Sequence, residues 1–203
     1  MTIDSSEIIR LPSNQAANAA AVLARAFHND PMMHYLMPVE ERRARWLPSL
    51  FSIVARYCLT YGEVHTMPAL DGVVCWLPPG ETNPPFLRLA RIGRRSPPFG
   101  MGLPGLRRYL RVAHYMEKIH MFSAPQAHWY LWALGVEPAR QGQGLGSLLT
   151  QPVLARARAE GMSCYLETMN SVNIPFYERH GFSVVSDGEA PGTGLRIWAM
   201  LRQ

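Results

Sequence analysis

The sequence predicts one α/β (α+β) domain, a sheet of about six to seven strands flanked by helices. Three observations predict it. The chain has 203 residues, 48% of them hydrophobic, enough for one core and short for two. Short strand-like runs alternate with longer stretches of helical periodicity along its whole length. The most apolar run, Trp129 to Val136, stops at Glu137-Pro138 and passes through a glycine-rich turn into a helix, as a central strand covered on both faces does.

In chain order, Glu7 to Leu11 suits a first strand, and Asn14 is placed to cap a helix running to about Phe27. Ala17, Ala20, Ala21, Leu23, Ala24 and Phe27 supply its apolar face, with alanine allowing close approach to a sheet. His28-Asn29-Asp30-Pro31 breaks that helix, because the residue before a proline disfavours helical backbone. Met32, Met33, Tyr35, Leu36 and Met37 then form an apolar cluster between breakers. It reads either as a packed corner under the sheet or as one wall of an acceptor pocket, with Met33 and Tyr35 as contacts.

Glu40 to about Leu59 has helical spacing of Trp46, Leu47, Leu50, Phe51, Val54, Ala55 and Cys58, with Pro48 as a kink or a join. Strands follow at 63–67 and 72–77 around an Asp71-Gly72 turn. Residues 81–122 read as an inserted helical pair within the domain. One helix spans about 85–94, amid prolines 84, 85, 97 and 98 and arginines 88, 91, 94 and 95. The other spans about 105–122, with Leu106, Tyr109, Leu110, Ala113, Met116 and Phe122 as its buried stripe. The arginine run reads as a solvated face.

After the central strand, Leu145, Leu148, Leu149, Val153, Leu154 and Ala157 line a helix ending at Gly161, with a bend expected at Pro152. Residues 162–168 form a strand. Asn173 caps a short helix with Pro175 in its first turn and Gly181 past its end. Strands at 182–185 and 195–201 flank a loop at 188–194.

The turn Arg140-Gln141-Gly142-Gln143-Gly144-Leu145-Gly146-Ser147 carries the chemistry. Glycines before a helix start leave several backbone N–H groups free around one small volume, which suits a phosphate. No Gly-Lys-Ser/Thr follows, as a triphosphate loop needs, and the glycine spacing does not fit the dinucleotide fingerprint.

That turn, after a hydrophobic strand, resembles the acetyl-coenzyme A motif of the GCN5-related N-acetyltransferases (GNAT). The resemblance continues through Leu166-Glu167-Thr168 and Asn173-x-Pro175-Phe176-Tyr177-Glu178-Arg179-x-Gly181-Phe182, and in this longer form looks most like the puromycin N-acetyltransferase branch. It covers roughly the last 75 residues; before them only the order of elements is similar. It implies a GNAT-like mixed, mostly antiparallel sheet, splayed between the fourth and fifth strands, and one acyl-coenzyme A N-acyltransferase domain over residues 1–203. The implied donor is acetyl-coenzyme A, and the implied reaction is direct attack by a primary amine in a ternary complex.

On that resemblance, the amides of Gln141 to Ser147 hold the pyrophosphate, with Arg140 or Gln141 adding a side chain. Leu134, Gly135 and Val136 offer backbone groups to the pantetheine arm and the oxyanion, and Asn173 and Phe176 border the arm. Tyr177 is the expected general acid; its other reading is an aromatic core anchor. Glu167, a lone carboxylate in an apolar strand, is the expected base and acceptor contact, or else an edge glutamate in a salt bridge. His128 and His65 are reserve bases, or else surface or hydrogen-bonded structural histidines. Trp132 joins the acceptor side, and Asp30 or Glu40 is placed to recognise a cationic acceptor. The acceptor expected is an antibiotic-like, aminonucleoside or aromatic amine, with a protein amine or a non-catalytic coenzyme-binding role as alternatives.

Lys plus Arg is 20 against 15 acidic residues, a net charge of +5. That modest excess fits steering of a polyanionic coenzyme, and no nucleic-acid module is recognisable. Cys58, Cys75 and Cys164 lack metal-ligand spacing and read as small buried hydrophobes in a reducing compartment. No apolar run approaches membrane-spanning length and no leader is evident, so the expectation is a cytoplasmic monomer or homodimer with no metal and no membrane partner.

Overall fold

The computed structural model describes residues 8–93 and 101–203. Among these residues seven strands form one sheet in the order β1-β2-β3-β4-β5-β7-β6. The strands are β1 Ile9–Arg10, β2 Glu63–Thr66, β3 Gly72–Leu77, β4 His128–Val136, β5 Ser163–Thr168, β6 Ser183–Glu189 and β7 Arg196–Arg202. Every pairing is antiparallel except β4 with β5. This is the mixed, mostly antiparallel sheet that the resemblance implies, with the parallel pair between the fourth and fifth strands.

Alternation along the strands assigns the two faces. Val73, Cys75, Leu77, Tyr130 and Tyr165 join the core under α1 (Ala16–Ala26) and α3 (Glu40–Tyr61). Val74, Trp76, Trp129, Leu131 and Leu166 join a second core under α6 (Leu145–Ala159). α1 is flat enough to sit on β4 because Ala16, Ala19, Ala20 and Ala24 are buried around Leu23. Of the expected face, Ala20, Leu23 and Ala24 are buried and Ala17 is exposed, with Ala16, Ala19 and Val22 completing the buried side. Asn14 does not cap α1 but lies within a single tight turn, Ser13–Gln15, that precedes it.

The cluster after Asp30 is a helix that sequence periodicity did not announce, α2 (Pro31–Leu36). Pro31 takes a first-turn position, where its missing N–H costs nothing, and Asp30 accepts from the Met32 N–H at 2.9 Å. The buried Arg43 of α3 fixes this corner. Its Nε donates to the His28 carbonyl at 2.8 Å, and its Nη1 donates to Met37 and Pro38 at 3.0 and 3.2 Å. α3 runs unbroken through Pro48.

The 81–122 region contains α4 (Phe86–Gly93) and α5 (Gly102–Ser123); arginines 94 and 95 and prolines 97 and 98 lie outside the described residues. α5 buries Gly105, Val112 and Ile119, not Leu106, Leu110 and Phe122, which are exposed. Its inward face is set by Ala190, Leu195 and Ile197, against which Val112 packs. The last segment adds α7 (Ile174–Arg179), with Gly181 at φ +83° just after it, and β6, which extends to Glu189 and takes in Gly188.

Candidate active site

Two irregularities of β4 open the sheet. Trp132 is an extra residue opposite the Cys75/Trp76 step of β3, so Trp132 and Ala133 both face the α1–α3 core while Leu131 and Leu134 face the other. Such a bulge sharpens the local twist. β4 and β5 pair only at His128, Trp129 and Tyr130 with Ser163, Cys164 and Tyr165. Beyond that point β4 stays paired to β3, and β5 to β7. The edges at 131–136 and 166–168 therefore face each other across a gap, each with unpaired backbone groups.

A groove of about 620 Å³ runs from this gap over the β4–α6 turn. Leu134, Gly135, Val136, Arg140, Gln141, Gly142, Gly144, Leu145, Gly146 and Ser147 line one side. Gly142 and Gly144 have φ of +77° and +81°, a region that a Cβ disfavours, and Gly144 immediately precedes α6. The first-turn amides of α6 thus point into the groove. Gly146 lets the Phe176 ring approach: a Cβ there would sit 3.2 Å from Cζ. Gly135 does the same for α1, since a Cβ would lie 2.8 Å from that of Ala26.

The turn is braced by two ion pairs, Arg25 with Glu137 and Arg140 with Asp71 (3.3 Å). Gln141 donates from Nε2 to the Val136 carbonyl at 3.1 Å. Gln143, expected with its neighbours, does not line the groove. Arg25, Arg179 and Asn170 do. Arg25 was hidden because a lone arginine on an alanine-rich helix carries no motif; Arg179 lies within the Asn173–Phe182 segment, two residues after Tyr177.

A second cavity, of about 180 Å³, opens from the same gap on the α1–α3 side. Met33, Trp132, Glu167 and Asp30, four of the residues named for the acceptor in the sequence, line it together with Phe27, Phe51, Tyr109, Met116 and Tyr130. Trp132 is fixed edge-on against Tyr57, with ring centroids 5.5 Å apart. Two expected contacts do not line it. Tyr35 turns toward Arg108, whose guanidinium lies 5.9 Å from its ring, and Glu40 is exposed, 3.6 Å from His28. The cause is α2: a helical turn points Met32 and Met33 inward and Tyr35 elsewhere.

Phe27, Asp30, Leu134, Asn173 and Tyr177 line both cavities. Burial, and next the Asp30 charge, hold the Tyr177 phenol well above the ordinary tyrosine range, so it is a protonated donor at neutral pH. Asp30 itself is pushed up to about 6 by burial, opposed by the N–H groups of Met32 and Met33. Asn173 makes no cap hydrogen bond; Asn170 caps that turn through Val172 N–H at 3.2 Å.

Glu167 is not an edge glutamate in a salt bridge to arginine or lysine. Its side chain is 2% exposed, and Oε2 accepts from the Tyr130 hydroxyl at 2.7 Å. Burial pushes it up to about 7, opposed by its hydrogen bonds, which leaves it near half-ionised at neutral pH. Of the reserve bases, His65 is buried 3.4 Å from Glu63 and lines neither cavity. His128 pairs with His120.

Residues 108–182 match the model of the Acetyltransferase (GNAT) family. An uncharacterized N-acetyltransferase of Schizosaccharomyces pombe is 25% identical over 179 residues, 85% of this chain and 72% of that protein. Among solved structures, one described as histone acetyltransferase HPA2 and related acetyltransferase from Corynebacterium glutamicum superposes with a TM-score of 0.68 at 22% identity, covering 96% of this chain and 94% of that one. PaiA N-acetyltransferase of Thermoplasma acidophilum, solved with coenzyme A, gives 0.56 at 13% identity over 97% and 98%. At these identities the two structures speak to the fold alone. No described helix is long and apolar enough to cross a membrane. The matched segment holds β4, its glycine turn, α6, β5 and α7, so the similarity to the GNAT family of acetyltransferases falls on the elements that line most of the groove.

Proposed function

We propose that this enzyme transfers the acetyl group of acetyl-coenzyme A to the primary amine of a small apolar or aromatic molecule. The observation that carries the proposal is the meeting of the two cavities at the β4–β5 gap, with Tyr177 bordering both and Glu167 in the inner one. In this reading the α6 amides and Arg25, Arg140 and Arg179 hold the diphosphate, and the pantetheine arm adds hydrogen bonds to the free edges of the gap. The thioester then lies at the seam.

The amine occupies the inner cavity, whose methionines and aromatic rings take its apolar body. α5 roofs that cavity with Tyr109 and Met116, which favours a small acceptor over a protein chain, and the motif wording ranks a puromycin-like branch first. Glu167 accepts the proton of the attacking nitrogen. A backbone N–H on the free edge of β4 receives the oxyanion, and Tyr177 gives its proton to the departing thiolate. Asp30, at the mouth, attracts the acceptor as a cation before it is deprotonated.

The test is release of free thiol from acetyl-coenzyme A with 2-phenylethylamine as acceptor. The wild type turns over; Tyr177→Phe loses about 10- to 100-fold in kcat with donor affinity within a few fold. Undiminished turnover by Tyr177→Phe removes the acid from the scheme. Inactivity toward that amine, with turnover of a polar or peptide amine, removes the acceptor class.

A further inference from the structure

A base that takes a proton from each acceptor must lose it again, and in the proposed ternary complex the donor would stand between the inner cavity and the outer groove that share Tyr177 and Asp30. On the other side of Glu167 the structure lines up two imidazoles. His120, in the last turn of α5, lies flat on the Tyr165 ring, with centroids 4.3 Å apart and planes at 21°. Its Nδ1 is 3.7 Å from Glu167 Oε1, and its Nε2 is 2.8 Å from Nε2 of His128.

The tautomers follow from the far end of this chain. His128 Nδ1 is 2.7 Å from the Gln126 carbonyl, and a carbonyl only accepts, so His128 carries its proton on Nδ1. Its Nε2 is then a bare acceptor, so His120 donates from Nε2. That leaves His120 Nδ1 bare and facing Glu167. Both imidazoles border a separate opening of about 270 Å³, lined also by Thr82, Asn83 and Glu117. His128 begins β4, whereas the two cavities meet at Leu134, toward its other end.

We propose that Glu167, His120 and His128 form a relay that carries the proton of the attacking amine out through this second opening, a proposal that rests on Glu167 being the base. The amine N–H bond breaks and the proton joins the Glu167 carboxylate. A water in the 3.7 Å gap, or a small turn of the carboxyl that closes it, lets the acid pass the proton to His120 Nδ1 while the Nε2 proton of His120 moves to His128 Nε2. The His128 imidazolium gives one proton to water in the opening, and proton exchange with that water returns His120 to its Nε2–H form and leaves His128 protonated at Nδ1. One proton leaves the amine and one reaches water, with no change of oxidation state.

Burial and His128 hold His120 down at about 4, and burial lowers His128, so the pair passes a proton without storing it. The titratable groups around it are Tyr130 on β4, Tyr165 and Glu167 on β5, and Glu117 on α5. Its path lies along the face of the sheet, under the inserted helix. A merely structural His120 would need only its ring against Tyr165.

The experiment compares His120→Ala, His120→Phe and Glu167→Gln with acetyl-coenzyme A and 2-phenylethylamine. His120→Ala loses about 10- to 100-fold in kcat with the KM for donor unchanged, and imidazole added to the assay restores turnover several-fold by filling the vacated site. His120→Phe, which keeps a ring on Tyr165, shows the same loss without rescue. Wild-type kcat in His120→Phe, or no response of His120→Ala to imidazole, overturns the relay. Those results leave Glu167 as the base provided Glu167→Gln is inactive; an active Glu167→Gln removes the base reading itself. A check that needs no acceptor is the side-chain ¹⁵N spectrum of the resting protein. The relay requires His128 protonated at Nδ1 and His120 at Nε2, and the opposite tautomers contradict it.

Discussion

Removing the Tyr130 hydroxyl is the most informative perturbation of the proposed base. That hydroxyl donates to Glu167 Oε2 at 2.7 Å, and the bond stabilises the ionised carboxylate against the burial that pushes it up to about 7. A hydrogen bond to a buried charge contributes about 1.5–3 kcal/mol. At 1.36 kcal/mol per unit, Tyr130→Phe raises the carboxyl by roughly 1–2 units, to about 8–9. The ionised fraction at pH 7 then falls from about a half to between roughly a tenth and a hundredth.

The assay is the pH profile of kcat/KM for the acceptor. Activity at pH 7 drops about 5- to 50-fold, the acid limb moves alkaline by one to two units, and the plateau recovers above it. A limb that stays in place, or a loss equal at all pH values, refutes the assignment of that limb to Glu167.

Three further outcomes follow from the packing. Because the folded Glu167 sits near 7 and the ordinary carboxyl near 4.5, the native state binds the extra proton between those values. Its contribution to stability is full below about 4.5 and lost as pH rises through 7, about 3 kcal/mol in all; urea melts of wild type lose this increment between pH 4.5 and 8, and Glu167→Gln does not. Gly135→Ala drives a Cβ to 2.8 Å from Ala26 and 3.0 Å from Leu23, which costs about 1–3 kcal/mol in the same melts, whereas unchanged stability shows that α1 has room to move. Arg43→Met strips the carbonyls of His28, Met37 and Pro38 of their donor and costs about 2–4 kcal/mol; a neutral result shows that α2 does not depend on this clamp.

The sequence made the second half of the site readable because backbone-driven chemistry leaves spelling behind. Gly142 and Gly144 are needed at positive φ, Gly146 beneath Phe176, and Glu167 stands out as a charge in an apolar strand. The order of strands and long helices was equally legible, since β3, β4, α3 and α6 keep their periodicity. What stayed hidden depends on contacts distant in sequence. α2 is too short for a period and forms because Asp30, Pro31 and Arg43 converge, and its turn sends Met33 inward and Tyr35 away. The inward face of α5, and with it the meeting of His120 with Glu167, is set by β7 and the strand after Gln126. No local pattern encodes that.

Calorimetric titration of acetyl-coenzyme A into the folded protein tests the central claim most directly, that main-chain nitrogens at the β4–α6 turn hold the donor. The expected result is one-to-one uptake by the wild type, displaced by coenzyme A. Gly144→Val should weaken it at least about 10-fold, because a β-branched residue cannot hold φ +81° without strain. No binding heat from well-folded wild type, or equal affinity in Gly144→Val, contradicts it.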